Sequence, residues 1–65
     1  MKISVNGQPH EVSARTLRDL LSDMEYEDLP VATAHNHDFV RAQDRDKIVL
    51  KEGDEVEILT PRQGG

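Results

Sequence analysis

The residues with the clearest chemical potential are the last two, Gly64 and Gly65. Because glycine has no Cβ atom, a Gly-Gly segment can pass through a narrow channel and adopt backbone angles closed to other residues. The carboxylate at the end of such a segment is suited to entering the active site of another protein. The alternative is a frayed terminus without a role, since glycine is about 7% of average sequence and pairs arise by chance.

The segment before these glycines predicts how they are presented. Residues 54–59 alternate like a half-buried strand, and the six residues 60–65 span at most about 20 Å. Pro61 fixes its own φ and limits movement at the base of this tail. We therefore expect a folded domain over 1–59 and a flexible tail over 60–65, with Arg62 and Gln63 either contacting a partner or staying in solvent.

Two other groups of side chains are weaker candidates for chemistry. His35 and His37 would share a face of a strand, with Asp38 adjacent, which permits a weak metal site. A solvated turn is the favoured interpretation, so no metal is predicted. Glu55 and Glu57 share an outward face, but nothing suggests that they are buried, so docking to a basic partner or plain solvation explains them better than acid–base catalysis.

Size and composition exclude several classes of function. A chain of 65 residues forms one domain with little room for an enclosed active site beside a core, so an independent enzyme is not expected. There are no cysteines, hence no disulfide, thiolate metal site or cysteine nucleophile. The net charge of −5 disfavours nucleic acid and anionic membranes and favours a basic partner. Without a signal peptide or a membrane-spanning apolar run, we expect a soluble, cytoplasmic monomer.

Alternating residues predict five strands. Ile3 and Val5 share a face of the first, and Asn6-Gly7 is a strong hairpin signal because a type I′ turn needs positive φ at both central residues. Pro9 places the returning strand at a sheet edge, since proline donates no ladder hydrogen bond. The other strands are expected over residues 31–35, 39–41 and 55–59, with 42–47 irregular and 48–50 a small apolar anchor. Which face of 31–35 meets the core stays open.

One helix is predicted to begin after Thr16, which suits the N-cap, and Asp19 suits the positive helix end. Apolar residues at helical spacing form its packing stripe: Leu17, Leu20, Leu21 and Met24. The order β-β-α-β-β-β predicts an α+β fold in which one main helix covers one face of a mixed sheet of about five strands. A right-handed crossover would let the first and last strands pair in parallel at the centre.

Leu59, at the root of the tail, is expected to point away from the helix because Val56 and Ile58 claim the inner face. Together with Phe39 it would form a docking patch for a partner. Ordinary surface exposure is the alternative, because single apolar residues are common on protein surfaces.

The pattern as a whole resembles the ubiquitin-like β-grasp sulfur carriers, most closely the ThiS family of thiamine biosynthesis within the ThiS/MoaD superfamily. The matching pieces are Asn6-Gly7, Thr16-Leu17 with Leu20-Leu21, Val31-Ala32-x-Ala34-x-Asn36, Phe39-Val40, Gly53-Asp54-x-Val56-Glu57-Ile58 and Gln63-Gly64-Gly65. The chain departs from the family at three positions. It has His37 where the family has Gly, His35 where it often has an apolar residue, and Arg41 where it often has Pro.

The resemblance implies a carrier whose Gly65 carboxylate is converted to a thiocarboxylate. A ThiF-like adenylyltransferase would use MgATP to form the acyl adenylate, and a persulfide donor such as a cysteine desulfurase or rhodanese would replace AMP. A ThiG-like thiazole synthase would receive the sulfur. Arg62, Gln63 and Gly64 would enter the partner's active site with Gly65. ATP and Mg²⁺ would belong to the activating partner, so the chain itself would hold no stable cofactor and no catalytic residue.

Three alternatives stay open at this point. The small subunit of molybdopterin synthase, which is MoaD-like, uses the same terminal chemistry. A ubiquitin-like modifier would join Gly65 to lysines by isopeptide bonds. A plain β-grasp binding module would have no use for its terminus.

Overall fold

Five strands, one α-helix and one 3₁₀ helix make up the part of the chain that the computed structural model describes, which is residues 1–60. Their bounds are β1 (Lys2–Val5), β2 (Gln8–Glu11), α1 (Leu17–Asp23), β3 (Ala32–His35), β4 (Asp38–Val40), the 3₁₀ helix (Ala42–Lys47) and β5 (Glu55–Leu59). Neither helix within this range has the length and apolar character needed to cross a membrane.

The strands form a single mixed sheet in the order β2-β1-β5-β3-β4. β1 is parallel to β5 and antiparallel to β2, while β3 is antiparallel to both β4 and β5. The last strand therefore lies at the centre and is bonded on both sides, and β2, which contains Pro9, lies at an edge. The α+β, β-grasp architecture predicted from the sequence is confirmed.

The core fills the space between the sheet and α1. On α1, Leu17, Leu20 and Leu21 are fully buried. They belong to one apolar cluster with side chains from the two central parallel strands and their neighbours: Ile3, Val5, Ala14, Val31, Val40, Leu50, Val56 and Ile58. Burying each large aliphatic side chain contributes about 1.5–3 kcal/mol, so this cluster is what holds the helix on the sheet.

Helix α1 has a side-chain cap at its start and a left-handed residue at its end. The Thr16 hydroxyl accepts a hydrogen bond from the backbone N–H of Asp19 at 3.1 Å, which confirms the predicted N-cap. After Asp23 the chain turns with Glu25 at φ 65°, and the Tyr26 N–H donates to the Leu21 carbonyl at 2.8 Å. This closing turn ends the helix one residue before Met24, which packs half-buried against the core.

The charged segment 42–47, predicted to be irregular, is instead a 3₁₀ helix. Arg45 bonds this helix to β3 and to the residue before it: its Nε donates to the Thr33 hydroxyl at 3.1 Å, and its Nη2 donates to the Val31 carbonyl at 2.7 Å. The prediction was wrong because the segment has no apolar periodicity and is held by long-range polar bonds. The apolar anchor predicted over 48–50 is confirmed in part: Leu50 is buried beside the start of α1 and Ile48 packs half-buried against the core, whereas Val49 is exposed.

The inward face of β3, left open by the sequence, carries Thr33 in line with the buried Val31. The Thr33 hydroxyl donates to the Val40 carbonyl at 2.9 Å, so burying it leaves no unpaired polar group. Ala32 and Ala34 consequently point outward, toward the face of the sheet that α1 does not cover. Small side chains there leave space on that outer face.

The two hairpin turns share one backbone geometry but differ in sequence. Asn6 and Gly7 have φ values of 52° and 82°, and Asn36 and His37 have φ values of 49° and 75°. Both turns therefore place two residues in the left-handed region, as a type I′ turn requires. A left-handed conformation costs a residue with a Cβ atom roughly 1–2 kcal/mol, so His37 strains its turn while Gly7 does not.

Replacing His37 with glycine should stabilise the domain. Relief of the left-handed strain outweighs the extra freedom of glycine in the unfolded chain, leaving a net gain of about 0.5–1 kcal/mol in the free energy of unfolding. Thermal unfolding of His37→Gly should therefore shift upward by about 2–8 °C. The matched variant Gly7→His should lose a similar amount, and equal stability of all three proteins would show that these turns carry no strain.

Candidate functional site

The outer face of β5 leads directly to the tail. Along β5, Val56 and Ile58 are buried against the core, and Glu55, Glu57 and Leu59 point outward. Leu59 is the last residue of the strand and its side chain is 69% exposed. The strand alternation therefore leaves a large apolar side chain in solvent where the chain leaves the sheet.

A shallow groove of about 430 Å³ lies on this outer face beside Leu59. In the sheet register Ala32 is paired with Leu59, and Ala34 is paired with Phe39. The two alanines form the floor of the groove, between Phe39 on β4 and Leu59 on β5. Phe39 is 71% exposed. The structure thus brings the two predicted docking residues to opposite sides of one apolar depression; docking itself stays a prediction.

Acidic side chains accompany this groove. Glu57 lines it, and Glu55 follows on the same face of β5, one alternation further from the tail. Both carboxylates are exposed, so they are available to a partner rather than used in the core. An apolar groove with the Glu57 carboxylate in its lining is complementary to a surface that has an apolar protrusion beside a basic residue.

Two asparagines, one in each hairpin turn, hold β5 through their side-chain amides. The Asn6 Nδ2 donates to the Ile58 carbonyl at 3.1 Å, and the Ile58 N–H donates to the Asn6 Oδ1 at 2.8 Å. At the start of the strand, the Glu55 N–H donates to the Asn36 Oδ1 at 2.8 Å. The sequence indicates turns at both asparagines but gives no sign of these bonds, because partners 52 and 19 residues away leave no local pattern.

A buried carboxylate, also missed by the sequence analysis, lies just before β5. Asp54 is only 8% exposed. Its side chain accepts hydrogen bonds from the Lys51 N–H at 2.9 Å and the Asn36 Nδ2 at 3.2 Å, and the His35 Nε2 lies 2.7 Å from its Oδ2. Burial by itself would raise the pKa of Asp54, but the hydrogen bonds from His35, Lys51 and Asn36 outweigh it and hold that pKa below its ordinary value.

The predicted shared face of His35 and His37 is wrong. His37 is in the β3–β4 turn, where its positive φ takes it off the strand alternation. Its Nε2 lies 3.0 Å from the exposed Glu55 carboxylate, whereas His35 lies against Asp54. Within residues 1–60 no three metal-ligating side chains are grouped to hold an ion.

Asp54 should make the domain sensitive to acid. Because its folded pKa lies below the unfolded value near 3.8, its charged form contributes stability above that pH, and this stability is lost as pH falls through the folded pKa. The free energy of unfolding should therefore drop more steeply below about pH 4 in the natural chain than in Asp54→Asn. Urea unfolding between pH 6 and pH 2 measures this; parallel curves would contradict it.

The remaining predicted site residues, Arg62, Gln63, Gly64 and Gly65, lie outside the described residues, which end at Thr60. The division into a domain over 1–59 and a tail over 60–65 accordingly stays a prediction.

A family model and two solved structures agree on one family, and each covers nearly all or all of the chain. A sequence model of the ThiS family matches residues 3–65. The crystal structure of the thiamine biosynthesis protein ThiS from Geobacter metallireducens is similar, with a TM-score of 0.80, 30% identity and 100% of both chains covered. A solution NMR structure of a thiamine biosynthesis protein from the same organism has a TM-score of 0.82 at 29% identity, covering 100% of this chain and 88% of that one. No curated protein sequence matches significantly.

Proposed function

This chain belongs to the ThiS family, and from that premise we propose that it is a sulfur carrier for thiazole formation in thiamine biosynthesis. The observation that carries the proposal is the position of β5. A strand bonded on both sides ends at Leu59 and continues into a short polar segment closing on Gly64-Gly65. A firm central strand followed by two glycines suits a protein that delivers its own terminus to other proteins.

The proposed reaction takes place on the main-chain carboxylate of Gly65. A carboxylate is a poor acylating group until one oxygen becomes part of a good leaving group. Its oxygen attacks the α-phosphorus of ATP, releasing pyrophosphate and forming an acyl adenylate. The terminal sulfur of a persulfide then attacks the acyl carbon and displaces AMP, forming an acyl disulfide with the donor. A thiol attacks the donor's sulfur, which breaks the S–S bond, releases the thiocarboxylate and leaves a disulfide between the thiol and the donor. A chain with no cysteine can carry sulfur in this way.

Other proteins supply the catalysis in this scheme. A ThiF-like adenylyltransferase binds ATP and Mg²⁺, a cysteine desulfurase or rhodanese supplies the persulfide, and a ThiG-like thiazole synthase consumes the sulfur. This chain acts as their co-substrate rather than as an enzyme. Gly64, Gln63 and Arg62 enter each partner's active site along with Gly65.

The groove on the outer face of the sheet is the proposed docking site for these partners. It adjoins the root of the tail, because Leu59 both lines the groove and ends β5. A partner seated on Phe39 and Leu59 would therefore lie where the chain leaves the sheet. The acidic residues beside the groove favour partners with a basic rim, in keeping with the net charge of −5.

Mass spectrometry tests the proposed function directly. The purified chain is incubated with a ThiF-like adenylyltransferase, MgATP and a persulfide donor, and its C-terminal peptide should gain the mass difference between sulfur and oxygen. In cells, deletion of the gene should create a requirement for thiamine. A molybdoenzyme defect would indicate the molybdopterin synthase subunit instead, and a ladder of lysine conjugates would indicate a protein modifier.

A further inference from the structure

The side chain of Asn6 takes the place of a missing stretch of strand beside β5. The parallel pairing of β1 with β5 runs only to Val5, which is paired with Val56. Beyond that point the Asn6 N–H still donates to the Val56 carbonyl at 2.9 Å. The Asn6 amide group then donates to the Ile58 carbonyl and accepts from the Ile58 N–H, as a neighbouring backbone would.

These two bonds hold Ile58, near the end of β5, on the side of the strand that faces β1. On the other side Ile58 and Leu59 are paired with β3. The end of β5 is thus hydrogen-bonded on both sides, by Asn6 on one and by β3 on the other. This holds although β1 has already turned away into the β1–β2 hairpin. Asn6 can do this only because it has a φ of 52°, a left-handed conformation that asparagine tolerates better than most residues.

We propose that Asn6 is a positioning residue for activation of the C-terminus: by holding Ile58 it fixes the direction in which the chain leaves the sheet after Leu59. This inference rests on the proposed function. A fixed root confines the terminal carboxylate to a smaller volume before it meets ATP. Effective reaction in a bound complex depends on such confinement, and a misplacement of about 1 Å can lower a rate about 100-fold.

The chain contains a matched control for this inference. Asn36 has the same residue type, the same left-handed conformation and the same kind of bond to β5, but it holds Glu55 at the opposite end of the strand. Replacing either asparagine with glycine keeps the positive φ that its turn requires and removes the side-chain amide. Each variant loses side-chain hydrogen bonds: Asn6→Gly loses both of its bonds to Ile58, whereas Asn36→Gly loses one to Glu55 and one to Asp54. Only Asn6→Gly loosens the root of the tail.

The experiment measures adenylation of the full chain by a ThiF-like enzyme with MgATP, following pyrophosphate release as the concentration of the chain is varied. For Asn6→Gly we expect kcat at saturating concentrations of the chain to fall about 10-fold or more, because placement of the terminus is lost. Asn6 also lines the groove proposed for docking, so KM reports docking and the fall in kcat reports positioning. For Asn36→Gly we expect kcat to stay within about two-fold of the natural value. Amide hydrogen exchange in the free proteins should be faster at Ile58 only in Asn6→Gly, with Val56 unchanged.

A purely structural role predicts a different result. A variant that is partly unfolded behaves as a lower concentration of competent chain, so its apparent KM rises while kcat at saturation is kept. That result, or an equal loss of kcat in both variants, would overturn the inference while leaving the proposed function intact. Failure of the natural chain to be adenylated would overturn both.

Discussion

A single alanine added after Gly65 should abolish thiocarboxylate formation and leave the domain folded. The addition moves the reactive carboxylate about 3.5 Å further along the chain. It also places a Cβ atom where the natural sequence has none. Because reacting atoms must approach to about 3–3.5 Å, we expect the rate of adenylation to fall at least about 100-fold. The measurement is the mass of the C-terminal peptide after incubation with a ThiF-like enzyme, MgATP and a persulfide donor.

Two controls separate this effect from damage to the protein. Thr60→Ala changes the start of the tail and leaves the terminal carboxylate in place, so it should accept sulfur normally. Urea unfolding of the extended chain should match that of the natural chain, because the addition changes none of the residues that form the core. An extended chain that still gains sulfur at its new terminus would show that the position of the carboxylate is not read by the activating enzyme.

The overall architecture could be predicted because its determinants are local or follow general rules of topology. Period-two alternation identifies Val56 and Ile58 as inward residues, and the helical spacing of three leucines identifies the packing face of α1. Right-handed crossover then allows β1 and β5 to be parallel neighbours at the centre of the sheet, and the structure has them so. Each rule uses only residues that are near one another in sequence, or the order of the elements.

The errors and omissions have a different physical origin. The 3₁₀ helix over 42–47 depends on Arg45 reaching β3, and the buried state of Asp54 depends on His35 and Asn36. These are polar contacts between side chains and distant partners, which leave no periodic trace in the sequence. The covered face of β3 was ambiguous for another reason, since small and β-branched residues alternate there and either set could have met the helix.

The candidate site likewise has parts that could be predicted from the sequence and parts that could not. The exposure of Leu59 follows from strand alternation, and the Asn6-Gly7 turn follows from its sequence. That Phe39 lies across a groove from Leu59, with Ala32 and Ala34 as its floor, requires the register of three strands. Register depends on the whole sheet, so the sequence could suggest both residues for docking without showing the surface that joins them.

Replacing Leu59 with glutamate should weaken binding of the activating enzyme without unfolding the domain. Leu59 is 69% exposed in the free protein, so the substitution removes little from the core, and surface changes of this kind usually alter stability by less than about 0.5 kcal/mol. In the proposed complex the side chain is covered. Losing the burial of one leucine costs about 1.5–3 kcal/mol, which corresponds to a rise in Kd of about 10- to 150-fold. Isothermal titration calorimetry with a ThiF-like adenylyltransferase measures the Kd of each variant.

The same change at a second exposed apolar residue provides the matched control. Val49 is 59% exposed and is bridged to Thr16 at the start of α1, so it lies away from the root of the tail. Val49→Glu adds the same charge to an already acidic chain, and any loss of affinity that it shares with Leu59→Glu is a general electrostatic effect. A site-specific role for the groove requires Leu59→Glu to bind much more weakly than Val49→Glu. Equal affinities would mean that partners reach the terminus without using this face of the sheet, leaving recognition to the tail alone.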